Sequence, residues 1–158
     1  PAGTAFTRQP VLGDAVAARR APMQSRHLGR YWIGTYENGL GDGATGTLLS
    51  QPFRVTQPWA AFVYAAGGFE TTRVELVDSA DGRVLLKLSG LDVRRLAPAT
   101  KNTETLAPVV LDLRTWQGRE VRLRLVDEQA GGAWGHLNFD DFRLYAQKPA
   151  LPGALEVR

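Results

Sequence analysis

Residues 131–138 hold the densest set of groups that could do chemistry, in the order Gly131-Gly132-Ala133-Trp134-Gly135-His136-Leu137-Asn138. Glycines let a backbone approach its neighbour closely. The Trp134 ring can offer a face to a ligand, while His136 and Asn138 can donate and accept directional hydrogen bonds. The alternative is structural, with Trp134 as a core plug and His136 hydrogen-bonded to the preceding loop. The segment therefore predicts a ligand pocket or a packing contact.

A second Gly-rich turn, Gly67-Gly68, precedes an acid and an arginine. Glu70 has two oxygens for bidentate contacts to vicinal hydroxyls, and Arg73 can supply matching donors. A plain turn with a surface acid is the alternative. Because both Gly-rich turns adjoin apolar strands, we predict five ligand-binding residues. They are Glu70, Arg73, Trp134, His136 and Asn138.

Two adjacent acids, Asp140 and Asp141, follow this segment. Successive strand residues point to opposite faces, so the pair cannot flank one substrate unless a bulge intervenes. With Asp14 or Asp42, Asp140 has the hard oxygen ligands that calcium prefers. Asp140 or Asp141 could instead anchor a loop by accepting backbone N–H bonds. We predict a structural Ca²⁺ bound by Asp14, Asp42 and Asp140, and expect no other cofactor.

The remaining inventory argues against catalysis. The chain has no cysteine and two histidines, His27 and His136. It lacks a Gly-x-Ser-x-Gly elbow, a His-x-x-x-His pair and a phosphate-binding loop that opens a helix. We therefore predict that the chain is not an enzyme.

The charge balance is mildly basic, with 19 Lys plus Arg against 16 Asp plus Glu. Arg19-Arg20, Arg26 and Arg30 either form a patch for an acidic partner or belong to a solvated surface. No apolar run approaches the roughly 18 residues of a membrane span, and we expect no nucleic-acid partner. The first residues contain neither a starting Met nor a signal peptide, so we expect a processed or excised piece of a larger protein.

The sequence around these residues contains short apolar segments typical of strands, separated by turn residues. This pattern predicts an all-β antiparallel sandwich. A helical apolar period is missing, so we expect no long helix. Strands 73–77 and 84–88 form a hairpin through Asp81-Gly82, and we expect 109–113 to pair with 120–126. Four further strands are predicted, at 31–36, 48–55, 59–66 and 137–145. Residues 89–106 form the longest unpatterned stretch, a candidate functional loop.

The order of several motifs resembles that of the fructan-binding β-sandwich modules, carbohydrate-binding module family 66, which are attached to levanases and related family 32 glycoside hydrolases. The motifs are residues 46–53, Gly67-Gly68 with Glu70-Thr71, 125–127 and 132–141. The chain also resembles uncharacterised domains of large secreted planctomycete proteins that carry cytochrome c-type haem domains. In those domains 23–25 and 31–37 have counterparts. The resemblance covers roughly residues 13–145.

This resemblance implies a galactose-binding-like jelly roll that binds its ligand in loops at one end, with a structural calcium. It implies a fructan-like carbohydrate as partner, and Trp134, His136 and Asn138 as shapers of the pocket. The module family has a third glycine and a His-Pro where this chain has Gly67-Gly68-Phe69-Glu70, and Ala133 is an insertion. Both departures fall in expected ligand loops, so fructose specificity does not transfer.

Two functions are compatible with these observations. The first is a non-catalytic carbohydrate-binding module of a larger extracytoplasmic protein, either periplasmic or secreted. The alternative is a structural or docking domain that contacts neighbouring domains of a multidomain protein, such as one containing cytochrome c. We divide the chain into an N-terminal arm packing on the sandwich (1–28), the sandwich module (29–146) and a C-terminal tail or linker (147–158).

Overall fold

The computed structural model of the protein describes residues 1–97 and 102–158. Strands dominate these residues, and the two α-helices have five and seven residues. In chain order the elements are β1 (Ala2–Gly3), β2 (Val11–Leu12), α1 (Ala15–Arg19), β3 (Tyr31–Gly34), β4 (Gly46–Leu49), β5 (Phe53–Arg54), β6 (Trp59–Ala66), β7 (Thr72–Asp78), β8 (Val84–Ser89), α2 (Gly90–Leu96), β9 (Ala107–Asp112), a 3-10 helix (Arg114–Trp116), β10 (Glu120–Asp127), β11 (Leu137–Tyr145) and β12 (Leu155–Val157).

The strands form two sheets that pack face to face. The first sheet has the order β1-β4-β10-β7-β8, with β5 also paired to β10, and the second has the order β12-β9-β6-β11-β3-β2. The described pairings are antiparallel except for β12 beside β9. The central runs β4-β10-β7-β8 and β9-β6-β11-β3, linked by repeated crossings between the sheets, give the strand order of an eight-stranded jelly roll. The predicted all-β sandwich is confirmed.

Side-chain alternation explains how β10 fits between the sheets. Val121, Leu123 and Leu125 are buried in the shared core. Arg122 and Arg124 therefore lie on the opposite, outward face of the first sheet. The apolar run of β6 is buried on both faces, with Phe62 and Tyr64 in the shared core and the small side chains of Ala61 and Ala65 buried on the opposite face.

Two of the sequence-based strand predictions are corrected. The expected pairing of 109–113 with 120–126 is wrong, because β9 pairs with β6 and β12 whereas β10 pairs with β4, β5 and β7. The turn at Arg114–Trp116 carries the chain from one sheet to the other. The expected strand 48–55 is divided into β4 and β5 around Pro52, which has no N–H to donate to a ladder. The hairpin of β7 and β8 is confirmed.

Strand β11 contains a bulge between Asp140 and Arg143. Asp141 adopts a positive φ of 56° there. The extra residue changes the alternation, so Phe142 packs against the core that also holds Phe139. The bulge that the adjacent acids left open is therefore present, and Phe142 departs from the regular alternation of the strand.

The terminal segments enter both sheets. Residues 1–28 supply β1 to the first sheet and β2 to the second, and Phe6 is buried in the main core. Residues 147–158 supply β12. The boundaries after 28 and 146 stay predictions. Helix α2 occupies part of the expected loop 89–106, of which 98–101 lie outside the described residues. Among the described helices, none is long and apolar enough to cross a membrane.

Candidate functional site

The two Gly-rich turns pack against each other at one end of the second sheet, where β6 ends and β11 begins. The Gly67 N–H donates to the His136 carbonyl at 3.2 Å. A Cβ on Gly67 would lie 1.7 Å from the Trp134 carbonyl oxygen, and one on Gly90 would lie 1.8 Å from the Gly67 carbonyl oxygen. Only glycine permits these approaches, so Gly67 and Gly90 fix the backbone that carries Trp134 and His136.

Five side chains stack in sequence beside this contact, and we call them the aromatic–arginine ring. The Arg20 guanidinium lies 4.8 Å from the Trp134 ring centroid, and the Trp134 ring stacks on His136 at 5.9 Å. His136 contacts Tyr36 at 5.2 Å, and the Arg19 guanidinium lies 4.2 Å from the Tyr36 centroid. Both guanidinium contacts have the geometry of cation–π interactions.

Glu104 joins the two ends of the ring. Its carboxylate is almost fully buried, accepts hydrogen bonds from Arg19 and lies 3.5 Å from Arg20. Arg19 also donates to Glu37 at 2.6 Å. Although burial opposes its charge, these hydrogen bonds raise the pKa of Arg19 above its usual range. Arg19 is thus held firmly, whereas the Arg20 side chain is 52% exposed and has the longer contact.

His136 is the most enclosed member of the ring. Its Nδ1 lies 2.6 Å from the Asp42 carboxylate, which fixes the Nδ1 proton because an ionised carboxylate only accepts. Its Nε2 is buried and has no hydrogen-bond partner among the described residues. Asn138 lies beside the ring, where its Nδ2 donates to the Glu104 carbonyl at 3.0 Å and its Oδ1 lacks a described partner. Unpartnered buried polar atoms of this kind need an explanation.

The ring encloses a polar pocket of about 110 Å³. Its wall consists of the five ring side chains together with Asp42, Ala133 and Glu104. Guanidinium donors, carboxylate acceptors and aromatic faces therefore converge on one small volume. Such a mixture of apolar surface and a few directed polar groups is typical of ligand sites.

The pocket brings together part of the predicted ligand set. Trp134 and His136 line it, and the core-plug alternative for Trp134 is wrong because this side chain is half-buried in the pocket wall. Asn138 is buried beside the pocket. Glu70 is exposed and Arg73 lies on the outward face of the first sheet, so neither lines it.

Other residues of the pocket were not predicted as ligand residues. Tyr36 and Glu104 carried no sequence signal for this role. The adjacent arginines at 19 and 20 were noticed only as a charged patch. Arg19 is committed to Glu37 and Glu104, so it is not a free part of that docking surface.

The three predicted calcium ligands do not form one group. Asp14 caps α1 by accepting the N–H of Ala17 at 3.0 Å. Asp42 holds His136, and Asp140 anchors a loop by accepting the Leu28 N–H at 2.7 Å. No cluster of three or more His, Cys, Asp or Glu side chains that could hold a metal occurs within 1–97 and 102–158. Calcium binding stays a prediction.

Behind the pocket lies a buried acid, Asp127. Burial raises its pKa to about 6, although hydrogen bonds from the Thr35 hydroxyl and the Gln129 N–H favour the charged form. The negative charge of Asp42 adds to the increase. The Asp127 carboxyl therefore titrates near pH 6, and the Asp42 carboxylate that holds His136 is close enough to influence it.

Comparison with known proteins finds a similar solved structure but no matching family. No protein-family model matches the chain, and no curated protein matches it. One similar solved structure is that of a family 35 carbohydrate-binding module from an environmental isolate. The two chains are 14% identical over 92% of each, with a TM-score of 0.45. The sandwich assignment rests on the strand order, and the resemblance to fructan-binding modules stays a prediction.

Proposed function

We propose that this domain binds a carbohydrate, without catalysis, in the pocket enclosed by the aromatic–arginine ring. The observation that carries the proposal is the convergence of two aromatic rings, two guanidinium groups and an imidazole on one pocket at the loop end of the sandwich. A sugar has apolar C–H faces and a rim of hydroxyls. Aromatic rings pack on the faces, and charged groups bind the hydroxyls.

The roles of the side chains follow from their contacts. Trp134 and Tyr36 are half-buried, so each keeps accessible ring surface. The second carboxylate oxygen of Asp42 and the half-exposed guanidinium of Arg20 are the polar groups that remain to accept or donate hydroxyl bonds. Since Glu104 already holds Arg19, little side-chain freedom is lost when a ligand enters, and this preorganisation favours binding.

The size of the pocket limits the affinity. At about 110 Å³ it is smaller than the roughly 300–1,000 Å³ of most small-molecule sites. Part of the sugar therefore stays outside, and we expect weak binding. The proposal includes the predicted setting, in which the domain holds a larger extracytoplasmic protein on a glycan.

Titration calorimetry with neutral oligosaccharides, including fructans and cell-wall fragments, tests the proposal. We expect Trp134→Ala to weaken binding at least tenfold, because it removes the stacking surface. Trp59→Ala is the matched control. Trp59 also lies beside an arginine, with Arg114 at 5.1 Å, but it is at the far end of β6.

The outcomes are distinct. Binding that is lost in Trp134→Ala and kept in Trp59→Ala supports the ring pocket. Equal loss in both variants, or no binding of any probe by the unmodified domain with and without calcium, refutes the proposal. Thermal melts of both variants verify that each is folded.

A further inference from the structure

A groove of about 610 Å³ crosses the outward face of the first sheet, away from the aromatic–arginine ring. Arg122 and Arg124 of β10 lie in it, flanked by Leu49 of β4 and Val77 of β7. They face outward because the intervening β10 side chains fill the core. The groove is thus a property of the sheet face and shares no side chain with the ring pocket.

Arg122 is an uncompensated charge on this face. One of its guanidinium nitrogens donates to the Ser50 carbonyl at 3.1 Å, and within the described residues it has no carboxylate partner. The acid that lines the same groove, Asp78, is already bound by Arg119 at 2.7 Å. Arg122 therefore keeps several N–H donors for an external anion.

Arg124 is only partly neutralised. Its Nε donates to Glu75, which also accepts from the Nε of Arg73. Arg73 also pairs with Glu128 at 2.7 Å. Arg73, Arg122 and Arg124 together carry three positive charges, and Glu75 and Glu128 supply only two negative ones. This face therefore has an excess of positive charge.

An exposed apolar side chain, Leu49, lies beside the guanidinium groups, whereas Val77 is buried beneath the groove. Leu49 is 45% exposed and lies opposite Arg124 in the strand register, and Val77 lies opposite Arg122. The two arginines are two residues apart on one strand, a rise of about 7 Å. The groove therefore presents two guanidinium groups about 7 Å apart beside the exposed side chain of Leu49.

We infer that this groove is a second binding site, which takes an acidic polysaccharide chain. Arg122 and Arg124 receive its carboxylates, and the exposed Leu49 side chain lies against the C–H face of one of its rings. An extended peptide fits less well, because β10 is paired on both sides and has no free backbone groups for strand addition. The site goes beyond the ring pocket and does not depend on it.

Affinity electrophoresis and calorimetry with polygalacturonate test this inference. We expect Arg122→Gln to weaken binding about tenfold, because a charge-assisted hydrogen bond is lost. Arg95→Gln removes the same charge from an exposed position of α2 and should leave binding unchanged. Trp134→Ala should also leave it unchanged, which separates this site from the proposed sugar pocket.

Three results would overturn the inference. The first is the absence of polygalacturonate binding by the unmodified domain. The second is equal binding of poly-glutamate, which would show that the face selects negative charge and not an acidic glycan. The third is loss of polygalacturonate binding in Trp134→Ala but not in Arg122→Gln, which would locate the chain in the ring pocket. Thermal melts identify any variant that fails to fold.

Discussion

The buried carboxyl of Asp127 should make the domain less stable as the pH rises. An acid whose pKa is lowered by folding has the opposite effect. Its pKa is about 6 in the folded state against a usual value of 3.8. Between these values the folded state keeps a proton that the unfolded state has released. The contribution of Asp127 to the free energy of unfolding therefore falls as the pH rises through this window.

The size of the effect follows from the shift. About two pKa units, at about 1.4 kcal/mol each, correspond to about 3 kcal/mol of stability lost by pH 7. Asp127→Asn removes the charge. The amide can accept the Gln129 N–H and donate to the Thr35 hydroxyl, which can turn to the Leu137 carbonyl at 3.3 Å. We expect the variant to be more stable than the unmodified domain at pH 7 by about 2 kcal/mol, after a small loss in hydrogen-bond geometry.

Urea unfolding at several pH values between about 4 and 7.5 measures this difference. The variant and the unmodified domain should have nearly equal stability near pH 4 and diverge as the pH rises. The quantity to compare is the difference in unfolding free energy between the two proteins. Other acids, such as Asp78, whose pKa is lowered by the Ala80 N–H and by Arg119, make stability rise with pH in both proteins, and this contribution cancels in the difference. Glu70→Gln controls for the loss of one exposed negative charge. A difference that stays constant with pH would refute the reasoning.

Two further substitutions test the contacts that build the pocket. Gly67→Ala should destabilise the domain by about 3 kcal/mol in urea unfolding, because its Cβ would collide with the Trp134 carbonyl, whereas Gly131→Ala, in open space, should change stability by less than about 0.5 kcal/mol. Glu104→Gln should lower stability by about 2 kcal/mol in the same assay, because it breaks a buried ion pair. Glu128→Gln breaks an exposed ion pair and should change stability very little, so equal losses in the two variants would contradict the assigned burial.

Local patterns were sufficient to predict much of the fold. The apolar run of β6 and the strict alternation of β10 each identify a strand, because burial on two faces or on one leaves a distinct sequence period. The Asp81-Gly82 turn identifies the hairpin that follows β7, and Gly82 adopts the expected positive φ of 74°. These signals act between neighbours in sequence.

Partners across the sandwich were not predictable in the same way. The turn at 114–116 is short enough for a hairpin, yet the chain uses it to change sheets. The bulge in β11 depends on Asp141 adopting a left-handed conformation, which no residue pattern announced. In both places the tertiary packing decides between local alternatives of similar energy.

The same reasoning explains which part of the pocket was missed. Trp134 and His136 are two residues apart and were found together, whereas the Arg19–Glu104 contact spans 85 residues. A residue pattern cannot encode such a contact, since either side chain alone reads as ordinary charged surface. Only the packing of α1 against the segment before β9 makes Glu104 a buried anchor.

The composition of this pocket is costly for stability, and that cost supports a ligand role. Glu104 is 1% exposed, His136 is 3% exposed and Asn138 is 1% exposed, and two of these side chains have an unpartnered polar atom. Apolar residues of similar volume would often stabilise such a position as well or better. Sequences usually break the rule of polar satisfaction where function requires polar groups. A ligand that bonds to the charged groups lining the pocket would offset part of this cost, which a packing cluster alone does not do.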